Sequence, residues 1–224
     1  MSCAGGPDLV TNGLVICLDA ADKQSYSGSG TIWRDLVGSN DGTLTNGPTY
    51  SSAGGGSIVF DGANDFVQCL GSLTVTAATF VTWIRRNGSQ GTYDGILFSR
   101  GTNNTTGMSF YGFNQLGYTW NDSPFTYNWN SGLTIPDLTW CMVAISVTST
   151  AATAYLCESS RITSATNTLS HGSSLLDDIK IGVDEFQNRC FTGNIATAMI
   201  YNRALSANEI SQNYNALKGR FLLT

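Results

Sequence analysis

The C-terminal segment from Cys190 to Phe221 constrains the fold more than any other part of the sequence. Between Gly193 and Tyr201 the residues are small or β-branched, and both alternating sets of side chains are mostly apolar. A strand of this kind is buried on both faces, so it needs structure packed on either side of it. The segment therefore predicts an inner strand of a layered β protein.

A helix is predicted directly after this strand. Ser206 and Glu209 have the S-x-x-E spacing of a capping box, and Leu205 stands where the residue of a hydrophobic staple is expected. Gly219 suits the left-handed position that ends many helices. The apolar stripe that would pack on the sheet comprises Ile210, Tyr214 and Leu217.

The rest of the chain consists of short alternating segments separated by Gly, Asn, Ser and Thr. Ser57–Phe60 and Phe66–Cys69 are separated by Asp61-Gly-Ala-Asn-Asp, which is the spacing of a β-hairpin. Charged residues make up only 12% of the chain, which favours strands and turns over helices. Many short strands at this spacing predict a sandwich or a jelly roll in a single domain.

Three stretches carry a family resemblance. Phe191-Thr-Gly-Asn-Ile, Ile200-Tyr-Asn-Arg-Ala-Leu-Ser and Ser57-Ile-Val-Phe-Asp-Gly-Ala-Asn-Asp-Phe-Val resemble segments of laminin G-like, concanavalin A-like domains. The resemblance implies an all-β, two-sheet antiparallel jelly-roll sandwich with one short C-terminal helix. We expect residues 1–12 to form an N-terminal arm and residues 13–224 to form the laminin G-like domain. This family includes lectins, hydrolases and adhesion modules, so the fold does not decide the function.

Charge and hydropathy exclude two classes of partner. The net charge of −5 and the lack of a Lys/Arg cluster argue against nucleic-acid binding. No apolar run approaches the length of a membrane span, and the first residues lack the pattern of a secretory signal. The six cysteines are scattered, and without a signal we favour buried free thiols over disulfides, which remain the alternative.

The carboxylates do not predict a glycosidase. Concanavalin A-type glucanases, as the resemblance implies, place their carboxylates as E-x-D-x-x-E, and Glu158, Glu185 and Glu209 show no such spacing. His171, the single histidine, lies in a Ser/Thr-rich loop where we expect it to be solvated, and no G-x-S-x-G motif accompanies it. The sequence therefore predicts that the protein is not an enzyme.

A calcium site has two sets of candidates. Asp61, Asn64 and Asp65 share one tight loop, and Ca²⁺ accepts carboxylate and carbonyl oxygens from such loops. The resemblance raises this prediction, since many laminin G-like domains hold a structural calcium. The alternative is that the two aspartates form Asx-turns that close the loop. Asp184 with Glu185 is a second, weaker candidate.

The segment from Phe110 to Trp129 is unusually rich in aromatic residues interleaved with Asn and Gly. Aromatic rings with neighbouring amides suit sugar binding, and they also suit protein interfaces. The alternative is that the first half, including Tyr118 and Trp120, faces the core, whereas the part after Pro124 is exposed. The predicted ligand or partner contacts are Tyr118, Trp120, Tyr127, Asn128 and Trp129.

Two functions remain open at this point. The stretches Gly42–Tyr50 and Asn213–Phe221 resemble laminin G-like domains encoded by tailed phages. This resemblance implies a virion protein, such as a capsid decoration, fibre or appendage, that is assembled in the host cytoplasm and contacts other virion proteins or surface glycans. The alternative is a free-standing carbohydrate-binding lectin module. Homo-oligomerisation is compatible with both.

Overall fold

The computed structural model describes residues 7–101, 105–159, 161–184 and 189–223. Over these ranges the chain forms two antiparallel sheets that pack face to face, which confirms the predicted sandwich. Sheet 1 contains β1 (Leu14–Asp19), β4 (Thr49–Ser51), β5 (Ser57–Asp61), β7 (Ala78–Arg86), β11 (Cys141–Val147), β12 (Ala152–Glu158), β13 (Arg161–Asn167) and β17 (Thr192–Tyr201). Sheet 2 contains β2 (Ile32–Trp33), β3 (Gly42–Thr45), β6 (Phe66–Val75), β8 (Gly95–Arg100), β9 (Thr105–Tyr111), β10 (Gln115–Thr119) and β14 (Ser174–Ile181).

Smaller elements complete the described structure. The strands β15 (Val183–Asp184) and β16 (Arg189–Cys190) form a separate ribbon, and the helices are α1 (Pro124–Tyr127) and α2 (Ala207–Leu217). The strand order is β13-β12-β11-β7-β17-β5-β4 in sheet 1, where β1 also pairs with β17, and β10-β9-β8-β14-β6-β3-β2 in sheet 2.

β17 lies inside sheet 1 and is covered on both faces, as its sequence predicts. A register irregularity between Ile195 and Thr197 shifts the in–out alternation of the strand by one residue. Ile195 therefore faces the same side as the even-numbered residues after the irregularity. The side chains that face the core between the sheets are Ile195, Ala198 and Ile200. The side chains that face the core beneath α2 are Ala196, Met199 and Tyr201.

α2 begins at the predicted capping box. The Ser206 N–H donates to Glu209 Oε2 at 2.9 Å, and the Glu209 N–H donates to Ser206 Oγ at 3.3 Å. Leu205 and Ile210 are both buried beside this cap, which matches the staple. The cap and the staple together fix where the chain leaves the sheet and turns into the helix.

The helix ends differently from the prediction. Gly219 does not have a left-handed conformation, because a 3₁₀ turn, Lys218–Phe221, extends the helix, and Leu222 is the left-handed residue with φ of 57°. This extra turn buries Phe221, whose ring stacks on Trp83 with centroids 4.2 Å apart. Packing of this aromatic pair therefore sets the end of the helix.

The predicted hairpin of β5 and β6 is wrong. β5 pairs with β17 and β4 in sheet 1, whereas β6 pairs with β14 and β3 in sheet 2. Phe60 of β5 and Val67 of β6 consequently reach the core between the sheets from opposite sides. A loop of this length can join neighbouring strands or opposite sheets, and here β17 occupies the place beside β5, so the chain crosses to the other sheet.

The cysteines of the described residues are Cys17, Cys69, Cys141, Cys157 and Cys190, all buried and without a disulfide among them. Burial raises the pKa of the Cys17 and Cys69 thiols to about 12, so these groups stay protonated. Cys3 lies outside the described residues. No helix within the described ranges is long and apolar enough to cross a membrane.

Candidate functional site

A cavity of about 370 Å³ lies on the outer face of sheet 2. Met108 of β9 and Tyr118 of β10 point into the core, so that the alternating residues Thr105 and Thr119 lie on the opposite face. Gly107, between them, lies close to β8, since a Cβ there would be 2.5 Å from the Leu97 carbonyl oxygen. The lining residues are Tyr93, Arg100, Thr105, Thr119, Asp122, Tyr127, Asp184 and Arg189.

Two tyrosines form the aromatic wall of this cavity. The rings of Tyr93 and Tyr127 meet edge to face, with centroids 5.9 Å apart and an interplanar angle of 86°. The Tyr93 hydroxyl donates to Asn128 Oδ1 at 2.9 Å, which ties the loop before β8 to the end of α1. Tyr93 has φ of 72°, a left-handed conformation that is costly for a bulky residue and persists only where surrounding contacts hold it.

A buried carboxylate organises the charged wall. Asp184, which is 1% exposed, accepts from Arg100 at 2.5 Å and from Arg189 at 3.1 Å. Burial raises the pKa of the Asp184 carboxyl, while both guanidinium groups act in the opposite direction by stabilising the ionised form. Arg189 also lies over the Tyr93 ring, 4.6 Å from its centroid, so the charged and aromatic walls support one another.

Asp122 supplies a carboxylate at the rim. Its N–H donates to the Thr105 carbonyl at 3.0 Å, and both Asp122 and Asn121 have left-handed backbones with φ near 50°. The Asn121 side chain donates to the Ser173 carbonyl at 2.9 Å, which anchors this turn to sheet 2. The site thus combines aromatic rings, guanidinium groups, carboxylates and hydroxyls on one face of sheet 2, and it is more polar than the mostly apolar lining of a typical small-molecule pocket.

Tyr118 and Trp120, two of the predicted contacts, are buried in the core and cannot form a contact surface. They are 1% and 2% exposed. The Tyr118 hydroxyl lies 3.0 Å from His171 Nε2, and the Trp120 indole N–H donates to the Gly172 carbonyl at 2.8 Å. Their alternation with outward-facing residues of β10 places them inside, as the alternative interpretation predicted.

Of the predicted contacts after Pro124, Tyr127 lines the cavity, whereas Asn128 and Trp129 do not. Asn128 lies beside the aromatic wall, where its Oδ1 accepts from the Tyr93 hydroxyl. The Trp129 ring is half-buried and packs edge to face on Tyr118, with centroids 5.6 Å apart. The segment after Pro124 is therefore divided, since Phe125 is 73% exposed and Thr126 is buried. The short helix α1 produces this division, because successive side chains of a helix point in different directions around its axis.

His171 is buried, so the expectation of a solvated side chain is wrong. It is 6% exposed and packs between the rings of Tyr118 and Trp120. Burial lowers the pKa of its imidazole, which favours the neutral form. The side chain serves the core in this position and lies apart from the cavity residues.

The loop with Asp61, Asn64 and Asp65 makes the hydrogen bonds of the Asx-turn alternative. Asp61 Oδ1 accepts from the Ala63 N–H at 2.8 Å, and Asp65 Oδ2 accepts from the Asp61 N–H at 3.1 Å. Within the described ranges, no group of three or more His, Cys, Asp or Glu side chains is placed to hold a metal. Calcium binding at this loop stays a prediction. Glu185 lies outside the described residues.

Tyr93, Arg100 and Arg189 belong to the site but were not singled out from the sequence. Each is isolated in its own segment, and their common position depends on how β8 and the β15–β16 ribbon meet. The sequence signal nearest to Tyr93 is the Thr92-Tyr93-Asp94-Gly95 stretch before an apolar strand, whose Asp and Gly favour a turn. A turn at this place does not by itself identify Tyr93 as a site residue.

Comparison with known proteins identifies the fold. A family model described as the Concanavalin A-like lectin/glucanases superfamily matches residues 61–211, which is more than half of the chain. No curated protein matches the chain in sequence.

Three solved structures resemble the chain at low identity. Trypanosoma rangeli sialidase in complex with sialic acid has a TM-score of 0.68 and 15% identity, covering 98% of this chain and 37% of the sialidase chain. Domain 4 of AbnA, a GH43 extracellular arabinanase from Geobacillus stearothermophilus in complex with arabinotriose, has a TM-score of 0.64 and 19% identity, covering 91% of this chain and 98% of that one. The binding domain of Paraclostridial Mosquitocidal Protein 1 has a TM-score of 0.57 and 14% identity, covering 91% and 52%.

These likenesses show the shared fold, and they correct one prediction. The prediction that the protein is not an enzyme is contradicted, because the structures that resemble it include a sialidase and a domain of an arabinanase. At 15% and 19% identity these likenesses show the fold and assign no activity to this chain. The chain spans little more than a third of the sialidase chains. The prediction rested on the missing glucanase carboxylate spacing, the single histidine and the lack of a G-x-S-x-G motif, whereas glycosidases also use other arrangements, including the tyrosine nucleophile of sialidases.

Proposed function

Because the chain belongs to the concanavalin A-like lectin/glucanases superfamily, we propose that it binds carbohydrate in the cavity on the outer face of sheet 2. The observation that carries this proposal is the position of Tyr93 and Tyr127 directly beside the Asp184 cluster. The CH groups of a sugar pack on aromatic rings, and its hydroxyls hydrogen-bond to charged side chains, which bind more strongly than neutral ones.

The arabinanase domain supports this choice of ligand. That domain was solved in complex with arabinotriose, and almost all of it is covered by the present chain. The cavity volume of about 370 Å³ lies near the lower end of the range for small-ligand sites. A ligand of one or a few sugar units therefore suits the cavity better than a folded protein surface does.

A glycan array followed by titration calorimetry tests the proposal. The array identifies a ligand for the wild-type protein, and calorimetry then compares Tyr93→Ala and Tyr127→Ala with Phe113→Ala. Phe113 is 90% exposed and does not line the cavity, so it is a matched aromatic control. We expect each tyrosine variant to bind at least about tenfold more weakly, which is about 1.4 kcal/mol, and the control to bind normally. Equal affinities for all four proteins would disprove the assignment of the site.

We further propose that this carbohydrate-binding domain is part of a virus particle. Its support is the resemblance of Gly42–Tyr50 and Asn213–Phe221 to phage-encoded laminin G-like domains. In that setting the domain attaches particles to surface glycans as part of a decoration, fibre or appendage. Fractionation separates this role from a free-standing lectin, since a virion component sediments with purified particles and a free lectin stays in the supernatant.

A further inference from the structure

The edges of the two sheets differ in how well they are covered. The edge at β10 is capped by a following segment, whose Leu133 carbonyl accepts from the Leu116 N–H at 2.9 Å. The open side of β1 is covered by the next loop, because the Leu36 N–H donates to the Cys17 carbonyl at 2.9 Å. β2 and β4 are only two and three residues long. Short or covered edges of this kind offer little for another strand to pair with.

β13 is the exception. It has seven residues in regular register with β12, its sequence is RITSATN, and Arg161 is its only charged residue. Among the described residues, no backbone group hydrogen-bonds to the side of β13 that faces away from β12. The strand has no proline or bulge, which are the devices that protect exposed edges. A long, almost uncharged edge strand is a template for pairing with another strand.

We propose that β13 pairs antiparallel with β13 of a second copy of this chain, which joins the two copies of sheet 1 into one continuous sheet. Full overlap of the two strands places Ser164 opposite itself on a two-fold axis and Arg161 opposite Asn167. Every other antiparallel register pairs fewer residues. Self-pairing is also free of opposed like charges, since the single charge of each strand faces an amide.

Two exposed side chains near the ends of β13 favour a second copy over an unrelated strand. The Asn167 side chain donates to the Phe125 carbonyl at 3.1 Å, so Phe125 lies beside the C-terminal end of β13. Phe125 is 73% exposed, and the side chain of Arg161, at the other end of the strand, is 69% exposed. The two-fold axis brings Arg161 of each copy next to Phe125 of the other, where a guanidinium can pack on the ring.

The expected dimer is weak. A seven-residue edge with two flanking contacts is smaller than the interfaces of about 1,200–2,000 Å² that hold stable complexes. Association should therefore depend on protein concentration in the micromolar to millimolar range. Pairing two copies would also present two binding sites on one particle, which increases retention on a surface with many ligands.

Sedimentation velocity across a concentration series tests this inference with charge-swap variants. We expect the wild-type protein to shift from monomer to dimer as its concentration rises towards about 1 mM. Ser164→Lys and Ser164→Glu each place two like charges at the axis, so each should remain monomeric. An equimolar mixture of the two variants should form dimers, because lysine then faces glutamate.

The controls separate this interface from a folding defect. Thr43→Lys adds the same charge at an exposed position on β3 in sheet 2, so it should dimerise like the wild-type protein. Hydrogen exchange of the wild-type protein should show amides of β13 becoming protected as the concentration rises. A wild-type protein that stays monomeric at about 1 mM, or folded Lys and Glu variants that do not associate when mixed, would overturn the inference.

Discussion

Replacing Glu209 with glutamine should distinguish two contributions to the stability of α2. One is the ion pair between Glu209 and Arg203, and the other is the set of capping hydrogen bonds at the start of the helix. Glu209 Oε1 lies 2.5 Å from Arg203 Nη2, and its Oε2 accepts from the Ser206 N–H at 2.9 Å. Glutamine keeps an oxygen that can accept from the Ser206 N–H, as in other capping boxes, and loses the charge. The substitution therefore removes the ion pair with Arg203 and leaves the cap.

The size of the effect follows from the titration of this group. The hydrogen bonds from Arg203, and then from the Ser206 backbone, lower the pKa of Glu209 from 4.5 to about 2. A shift of this size corresponds to an upper limit of about 3 kcal/mol. Both side chains are a little under one-third exposed, so solvent screening reduces the expected loss to about 1–2 kcal/mol.

The sign of the pH dependence gives the decisive measurement. The pKa is lower in the folded state, so the stabilisation is complete above about pH 4.5 and disappears as the pH falls towards 2. In urea unfolding, the free energy of unfolding of Glu209→Gln should be lower than that of the wild-type protein at pH 7, and this difference should shrink as the pH falls from about 4.5 towards 2. Ser206→Ala should lower the free energy of unfolding by about 0.5–2 kcal/mol at pH 7 and should keep most of that loss in acid, because a hydroxyl does not titrate. A Glu209→Gln deficit that is absent at pH 7, or unchanged down to pH 2, would refute the reasoning.

Two further predictions concern the metal and the buried polar network. If Asp61 and Asp65 hold calcium, a chelator should lower the melting temperature by several degrees, because a ligand that binds only the folded state stabilises it; identical melts with and without chelator would leave the Asx-turns as the whole explanation of the loop. Asn213→Ala should destabilise the protein by about 1–3 kcal/mol in urea unfolding, since Asn213 is fully buried, accepts from the Val10 N–H and donates to the Tyr201 hydroxyl, each at 2.9 Å. If the urea midpoint of Asn213→Ala equals that of the wild-type protein, this hydrogen-bond network contributes nothing to stability.

Local signals in the sequence predicted local structure well. The capping box of α2 lies within four residues, and the apolar pattern of β17 lies within ten, so neither depends on distant parts of the chain. β13 was not predicted, because its Thr, Ser and Asn side chains lack the apolar alternation of a core strand. An edge strand that contributes little to the core leaves no such pattern, although its backbone pairs fully with β12.

The partners of each strand, and the sheet to which it belongs, were harder to predict than the positions of the strands in the sequence. The sequence from Asp61 to Asp65 favours a hairpin turn, and Asx hydrogen bonds do occur in this loop. What the sequence does not state is whether the chain returns beside β5 or crosses to the other sheet, since both choices bury the same apolar residues. That decision depends on β17, which occupies the place beside β5 and comes from the far end of the chain.

The candidate site shows the same limit more strongly. Tyr93, Tyr127 and Asp184 come from a loop, a short helix and a ribbon that are far apart in sequence, and only the outer face of sheet 2 brings them together. The aromatic segment predicted Tyr127 because several aromatic residues lie close together there. The same clustering included Tyr118, which the pleat of β10 turns into the core. Tyr93 does not lie in an aromatic cluster of the sequence, and no binding motif includes it. Its left-handed backbone, its contact with Arg189 and its bond to Asn128 are visible only in the folded chain. For this fold, the absence of a catalytic or binding motif in the sequence is therefore weak evidence against a site, because the sheet assembles the residues of its candidate site from separate segments.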